Sequence, residues 1–245
     1  MRFFGTGAAA AGICFVWVLT AQGADNRTAT VDGILSAYVN ALGGQTALDK
    51  ITTRQLTVSS HLFKSAKMYW ETPDHVLLEA HRERQGFDGS SGWYETKRKR
   101  IQRLPKSRQD ELQTDANPIR FVHLKDMYGE LNVETPKPGE ADGMDVIAAP
   151  NHLGATRFFF DRQTHLLAKI EEFGVNSAYF KQTTEFSDYQ EIDGIKFPRR
   201  ITRDSEEPGS NSGDVHLSNI KQNEPLNSSI FRKPDIGKVI SGGKH

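Results

Sequence analysis

Cysteine is almost missing from this chain: among 245 residues only Cys14 carries a thiol, and it lies inside an apolar run from Ala8 to Leu19. A disulfide framework is therefore excluded, and the body of the chain has no thiolate to serve as nucleophile or metal ligand. An excess of either charge is also missing, since 31 Lys and Arg balance 31 Asp and Glu. That balance supplies no electrostatic footprint for nucleic acid. No apolar run reaches the ~20 residues that cross a bilayer as a helix. Catalytic signatures are lacking too. Gly89-Ser90-Ser91-Gly92 and Gly209-Ser210-Asn211-Ser212-Gly213 both miss the G-x-S-x-G elbow and read as serine-glycine turns. The eight histidines contain no H-E-x-x-H. His75 and His81 share one apparent strand face, where solvated or hydrogen-bonded imidazoles are the plainer reading than a metal pair. The sequence therefore assigns no catalytic residue, no metal ligand and no cofactor, and the chain reads as a binding protein rather than an enzyme.

What is present begins with an address. Arg2 gives a short positive start, Ala8 to Leu19 an apolar run, and Ala21-Gln22-Gly23 a small-x-small cleavage site, the pattern of a secretory signal peptide. A lipid anchor on Cys14 is disfavoured, because Ile13 precedes it and Phe15 to Leu19 extend the apolar run beyond it. The expectation is a signal peptide over 1–23 and one soluble exported domain over 24–236, with a flexible tail over 237–245. A disulfide-free product of this size fits a bacterial periplasm.

The chain is organised around Thr156 to Asp204, which reads as three β-strands joined by tight turns. Phe158 and Phe160, then Leu166, Ala168 and Ile170, then Phe180 and Phe186 recur at the two-residue period of strands with one buried face. Breaks fall at Asp161 to His165, Gly174 to Ser177 and Asp193-Gly194, the last a dipeptide that readily takes positive φ. Ahead of the sheet, Val31, Ile34, Leu35, Tyr38, Val39 and Leu42 make one helical stripe, capped by Thr30 and ended by Gly43-Gly44. A short helix is expected over Thr46 to Lys50 and a helical insertion over Ser107 to Tyr128, its second helix opening at Asn117-Pro118. The remainder reads as strands, about ten or eleven in all. A sheet that wide does not stay flat, so the fold class is α+β: a large curled antiparallel sheet, an unclosed half-barrel, with helices packed on its concave side.

Several stretches together resemble the LolA/LolB-like superfamily of outer-membrane lipoprotein-sorting proteins. They are Ala41-Leu42-Gly43-Gly44 with Ala47-Leu48 and Ile51; Phe87-Asp88-Gly89 with Gly92-Trp93; Phe160-Asp161 before Leu166-Leu167; Tyr189 with Asp193-Gly194-Ile195-Lys196-Phe197-Pro198; and Leu226-Asn227 with Phe231 and Pro234. They span most of the expected mature chain. The resemblance implies an unclosed barrel plugged by helices and a hydrophobic cavity for acyl chains. It transfers no functional residue, because the polar groups that particular carriers use do not align.

Large apolar side chains suit such a lining, so the candidate cavity residues are Met68, Trp70, Leu78, Trp93, Phe158, Phe160, Ile170 and Phe186. The same rings serve equally well as plain packing between sheet and helices. The expected occupant is a lipid or lipoprotein acyl chain, bound by a monomer. Envelope proteins or an anionic lipid surface are further expected partners, the latter through the basic run Lys97 to Arg108, for which a solvated strand and turn that blunt an edge is the favoured reading. The alternative function is an envelope sensor or scaffold that binds a protein through the concave sheet.

Overall fold

In the computed structural model, which describes residues 29–234 apart from 62, 82, 99, 152–153, 174–179 and 208–211, the first element is helix α1 (Val31–Leu42). The Thr30 hydroxyl accepts from the Gly33 N–H at 3.1 Å and so satisfies one free donor of the first turn. Ile34, Leu35, Tyr38 and Leu42 bury the stripe. Gly43 ends the helix at φ 133°, and a Cβ there would lie 2.1 Å from the Gly194 carbonyl oxygen. Gly43 and the Asp193-Gly194 turn are thus two halves of one contact. Asp193 and Gly194 have φ of 50° and 80°, as a two-residue hairpin turn between right-twisted strands requires. The second helix, α2, is a single turn, Gln45–Leu48.

Thirteen strands follow among the described residues: β1 (Thr53–Ser60), β2 (Phe63–Glu71), β3 (His75–Ala80), β4 (Glu83–Asp88), β5 (Gly92–Glu95), β6 (Ile101–Arg103), β7 (Asn132–Glu134), β8 (Met144–Asn151), β9 (Gly154–Asp161), β10 (Leu167–Phe173), β11 (Lys181–Ile192), β12 (Ile195–Ser205) and β13 (Gly213–Gln222). All pair antiparallel in one unclosed sheet, ordered β6-β5-β4-β3-β2-β1-β13-β12-β11-β10-β9-β8-β7. The chain therefore runs outward from β1 to one edge, crosses over, and returns from the other edge to close β13 against β1. Thirteen strands exceed the expected ten or eleven. The stretch from Thr156 to Asp204 holds four strands rather than three, because the Asp193-Gly194 turn leads into a full strand. The strand that leads into the Asp88-Gly89 turn, expected from Phe87, begins earlier, at Glu83.

The crossover from β6 to β7 holds helix α3 (Lys106–Ala116), a 3-10 turn at Arg120–His123 and the one-turn helix α4 (Leu124–Met127). Pro105 takes the cap position of α3, so Ser107 lies inside the helix rather than at its start. After Pro118 the expected second helix is broken into the 3-10 turn and a single α turn. Helix α3 touches β5, where its Gln109 side chain packs on Gly92, and β12, where its Asp115 meets Arg203 at 2.7 Å. Those strands stand six places apart in the sheet order, about 29 Å if the sheet were flat. A helix about 16 Å long and 10 Å wide bridges that span only because the sheet curls around it. Lys125 pairs with Asp32 and ties α4 back to α1.

The inner face carries one continuous core, with Leu56, Val58, Met68, Trp70, Val76, Leu78, Ile147, Phe158, Phe160, Ile170, Phe186, Ile201 and Leu217 packed on the helices. Outside, a smaller cluster of Leu77, Trp93 and Phe231 holds the closing 3-10 turn, Ser228–Phe231, against the sheet. Near the β7 edge the outer face is covered by charged side chains: Arg157 and Lys169 lie over the buried Phe159 ring, and Arg157 grips Glu134 with two bonds of 3.0 and 2.8 Å, which pins the short edge strand.

Candidate functional site

The helices do not fill the concave face. Between α3, α4 and strands β9 to β12 lies a cavity of about 370 Å³, lined by the large side chains of Phe121, Met127, Tyr128, Phe158 and Ile170 and by the polar Lys106, Asp110, Glu111, Arg120, Glu172, Gln182, Thr184 and Arg203. A second space of about 570 Å³ opens between Leu48, Ile51, Trp70 and Pro73 on one side and Ile119, Val122 and Met127 on the other. Arg120 and Met127 line both, so the two spaces adjoin beneath the crossover.

Charge is placed in these spaces by strand phase. Arg203 points inward two residues after buried Ile201, as Glu172 does after Ile170 and as Arg54 does two residues before Leu56. Arg203 is buried and paired with Asp115 at 2.7 and 3.4 Å. Burial works against its charge, but Asp115 outweighs that and holds the guanidinium above its ordinary value. Glu172 is held above the usual carboxylate range, chiefly by burial, with Asp110 and Glu111 adding to the effect and Arg203 opposing it. Burial also pushes the Tyr128 hydroxyl up to about 12. Arg54 differs from Arg203. Its guanidinium is 1% exposed and gives its bonds to neutral oxygens: Asn117 Oδ1 at 2.8 Å, Gln222 Oε1 at 2.9 Å and the Ala116 carbonyl at 3.5 Å. Phe197 and Trp70 lie under it at 4.4 and 5.5 Å. Burial pulls Arg54 down to about 9, which still leaves it protonated at neutral pH.

No protein-family model and no curated protein matches the chain in sequence. Solved structures do match. A LolA superfamily protein from Nitrosomonas europaea superposes with a TM-score of 0.53 at 13% identity, over 84% of this chain and 99% of that one. This chain therefore shares the fold of that protein. A domain described as an outer membrane lipoprotein-sorting protein, from Vibrio parahaemolyticus, aligns at 13% identity with a TM-score of 0.41, over 74% of this chain and 88% of that one.

Within this LolA-like fold, seven of the eight residues singled out from sequence meet in the inner core: Met68, Trp70, Leu78, Phe158, Phe160, Ile170 and Phe186. Only some of them face open space. Phe158 and Ile170 line the smaller cavity and Trp70 the larger, while Leu78 borders a space of about 60 Å³ beside α3. Phe160 is covered by Tyr38, ring centres 5.2 Å apart, and Phe186 by Phe121 at 6.0 Å. Trp93 stands on the other face of the sheet. Leu77, Gly86 and Trp93 align across β3, β4 and β5, and the indole lies so flat over Gly86 that a Cβ there would sit 2.5 Å from the ring. Its Nε1–H donates to the Phe231 carbonyl at 2.9 Å, so it holds the closing turn.

Sequence reasoning missed Arg54, Glu172, Arg203 and Asp115, the partner of Arg203. The available signal was phase: each of the three strand residues stands at an inward position next to an apolar one. The basic run does not form one free patch, because Lys97 meets Glu83 at 3.7 Å, Lys106 meets Asp110 at 2.5 Å and Arg108 meets Glu111 at 2.6 Å. His81 falls in the β3–β4 turn, and His75 stacks on Phe231 at 5.5 Å. The segment 1–23, expected to be a signal peptide, and the segment 237–245, expected to be a tail, lie outside the described residues. Among the described residues no helix is long and apolar enough to cross a membrane.

Proposed function

We propose that this protein is a periplasmic carrier that binds a lipid or lipoprotein acyl chain between its curled sheet and the helical crossover, without catalysing a reaction on it. One observation carries the reading: the crossover leaves two adjoining spaces of about 370 and 570 Å³ on the concave face, bordered by Leu48, Ile51, Trp70, Ile119, Met127, Phe158 and Ile170. Both volumes fall in the range of about 300–1,000 Å³ that small-molecule ligands occupy. An acyl chain there exchanges water for apolar side chains and gains about 0.8 kcal/mol per buried CH₂. Export is supported by the sequence of the first 23 residues, which has the form of a cleaved leader. The LolA-like fold suits such cargo, because an unclosed barrel covered by helices can admit a chain by moving the cover rather than unfolding the sheet.

Met127 offers a test that spares the core, since it is 37% exposed yet lines both spaces. Titrating a fluorescent fatty acid into the protein should give saturable binding. Met127→Glu should weaken it with thermal unfolding unchanged, and Trp70→Leu should weaken it while unfolding stays cooperative. Saturable binding that ignores both substitutions would move the chain out of these spaces, and no binding at micromolar protein would end the carrier reading.

A further inference from the structure

The floor of the larger cavity holds a cation without a counter-ion. Arg54 is buried to 1% exposure, and no ion pair joins it to a carboxylate among the described residues. Its Nη1 and Nη2 groups donate to two side-chain amides and a backbone carbonyl, all neutral. Its Nε–H is buried without any acceptor. The same inner face shows what a satisfied arginine looks like: Arg203 has Asp115 against it at 2.7 Å. A buried guanidinium surrounded only by neutral dipoles and two aromatic faces is left undercompensated, and Arg54 borders a space large enough to admit what would compensate it.

This inference rests on the carrier reading above and narrows it. We propose that the bound amphiphile carries an oxyanion, a carboxylate or a phosphate, that docks on Arg54 with its alkyl chain running past Trp70, Ile119 and Val122. Guanidinium matches such oxyanions by geometry as well as charge, through N–H donors held in one plane. The carboxylates that border the same cavity do not compete for this place. Asp49 and Asp126 are exposed at its mouth, where Asp49 accepts from Gln45 at 2.6 Å and Asp126 lies 3.5 Å from His123. Asp74 sits in the β2–β3 turn. Charges at the mouth are screened by water and salt, whereas an ion pair at the floor is not. Arg120, the other cation of the cavity, is bonded to Gln113 at 2.8 Å.

The test is a head-group series on the wild-type protein, with dodecanoate, dodecyl phosphate, dodecanol and dodecyltrimethylammonium each displacing the same fluorescent probe at neutral pH. Either or both oxyanions should bind about tenfold or more tightly than the alcohol, as befits a charge-assisted bond in a buried site. The cation should bind weakest. A preference between carboxylate and phosphate tells a free fatty acid from a phospholipid-type head. In Arg54→Gln the gap between oxyanion and alcohol should shrink to roughly threefold or less, while Arg54→Lys should keep part of it. Because the series is read first on unaltered protein, an unstable variant does not spoil it. Equal binding of alcohol and oxyanions by the wild type would overturn the head-group inference and leave the carrier reading standing. Failure of every dodecyl compound to bind would overturn both.

Discussion

Replacing Gly43 with alanine probes the contact that sets α1 onto the sheet. Gly43 has φ 133° and its Cβ would meet the Gly194 carbonyl oxygen at 2.1 Å. Ordinary contact begins near 3.4 Å, so the turn or the helix must retreat by 3.4 − 2.1 = 1.3 Å. The neighbouring Gly44 provides the control, because it also has a positive φ of 86° but open space where its Cβ would be. Each alanine incurs backbone strain of about 1–3 kcal/mol. Only Gly43→Ala adds an overpacking penalty, about 1–3 kcal/mol more, since a displaced α1 draws Ile34, Leu35, Tyr38 and Leu42 away from the core. With a urea slope of about 2–3 kcal/mol/M, the midpoint of Gly43→Ala should lie roughly 0.3–1.5 M below that of Gly44→Ala. Urea titrations followed by far-UV circular dichroism read this directly. Equal midpoints would mean that the helix end does not rest on the hairpin turn as described.

Three further outcomes follow from the polar groups. The Tyr38 hydroxyl is buried without a partner, so Tyr38→Phe should be neutral or stabilising by about 1 kcal/mol in the same titration; a clear loss would reveal a bond to that oxygen. Glu172 is held above the ordinary glutamate value, mainly by burial, so its ionised form opposes folding once pH rises past about 4.5, and the penalty is complete above the folded value. Glu172→Gln should therefore raise the melting temperature near pH 7 and lose that advantage towards pH 4; the same shift at both would show that the effect is not charge. Trp93→Phe removes the bond to the Phe231 carbonyl and should speed amide exchange across Ser228–Phe231 by about tenfold, with the inner-face strands unchanged; unaltered exchange in that turn would deny Trp93 its clamping role.

Local chemistry made part of this fold legible. The Thr30 cap and the Gly43-Gly44 stop bracket α1 in the sequence as they do in space, and Asp193-Gly194 takes the positive φ values that its residue types favour. Period-two alternation placed Phe158, Phe160 and Ile170 on the inner face. Other features depended on partners remote in sequence. Strand β4 is polar apart from Phe87, so its extension back to Glu83 is set by the pairing with β3 and β5 on either side. Trp93 sits in a four-residue strand, too short for a period to assign its face, and the flat site over Gly86 exists only once β4 and β5 are in register. Asp115 and Arg203 are 88 residues apart, and nothing local in either segment announces the pair. Arg54 was readable as an inward residue, but the lack of a carboxylate beside it is a property of the folded cavity alone.

Native mass spectrometry of the protein isolated from a periplasmic fraction without detergent addresses the proposed carrier function most directly. A carrier of acyl chains should appear with discrete mass increments of lipid or lipopeptide, and Met127→Glu should lose them while keeping the same unfolding transition. A single unliganded mass for the wild type, together with no uptake of fatty acid, phospholipid or lipopeptide on incubation, would contradict the carrier function and leave the concave face without a lipid cargo.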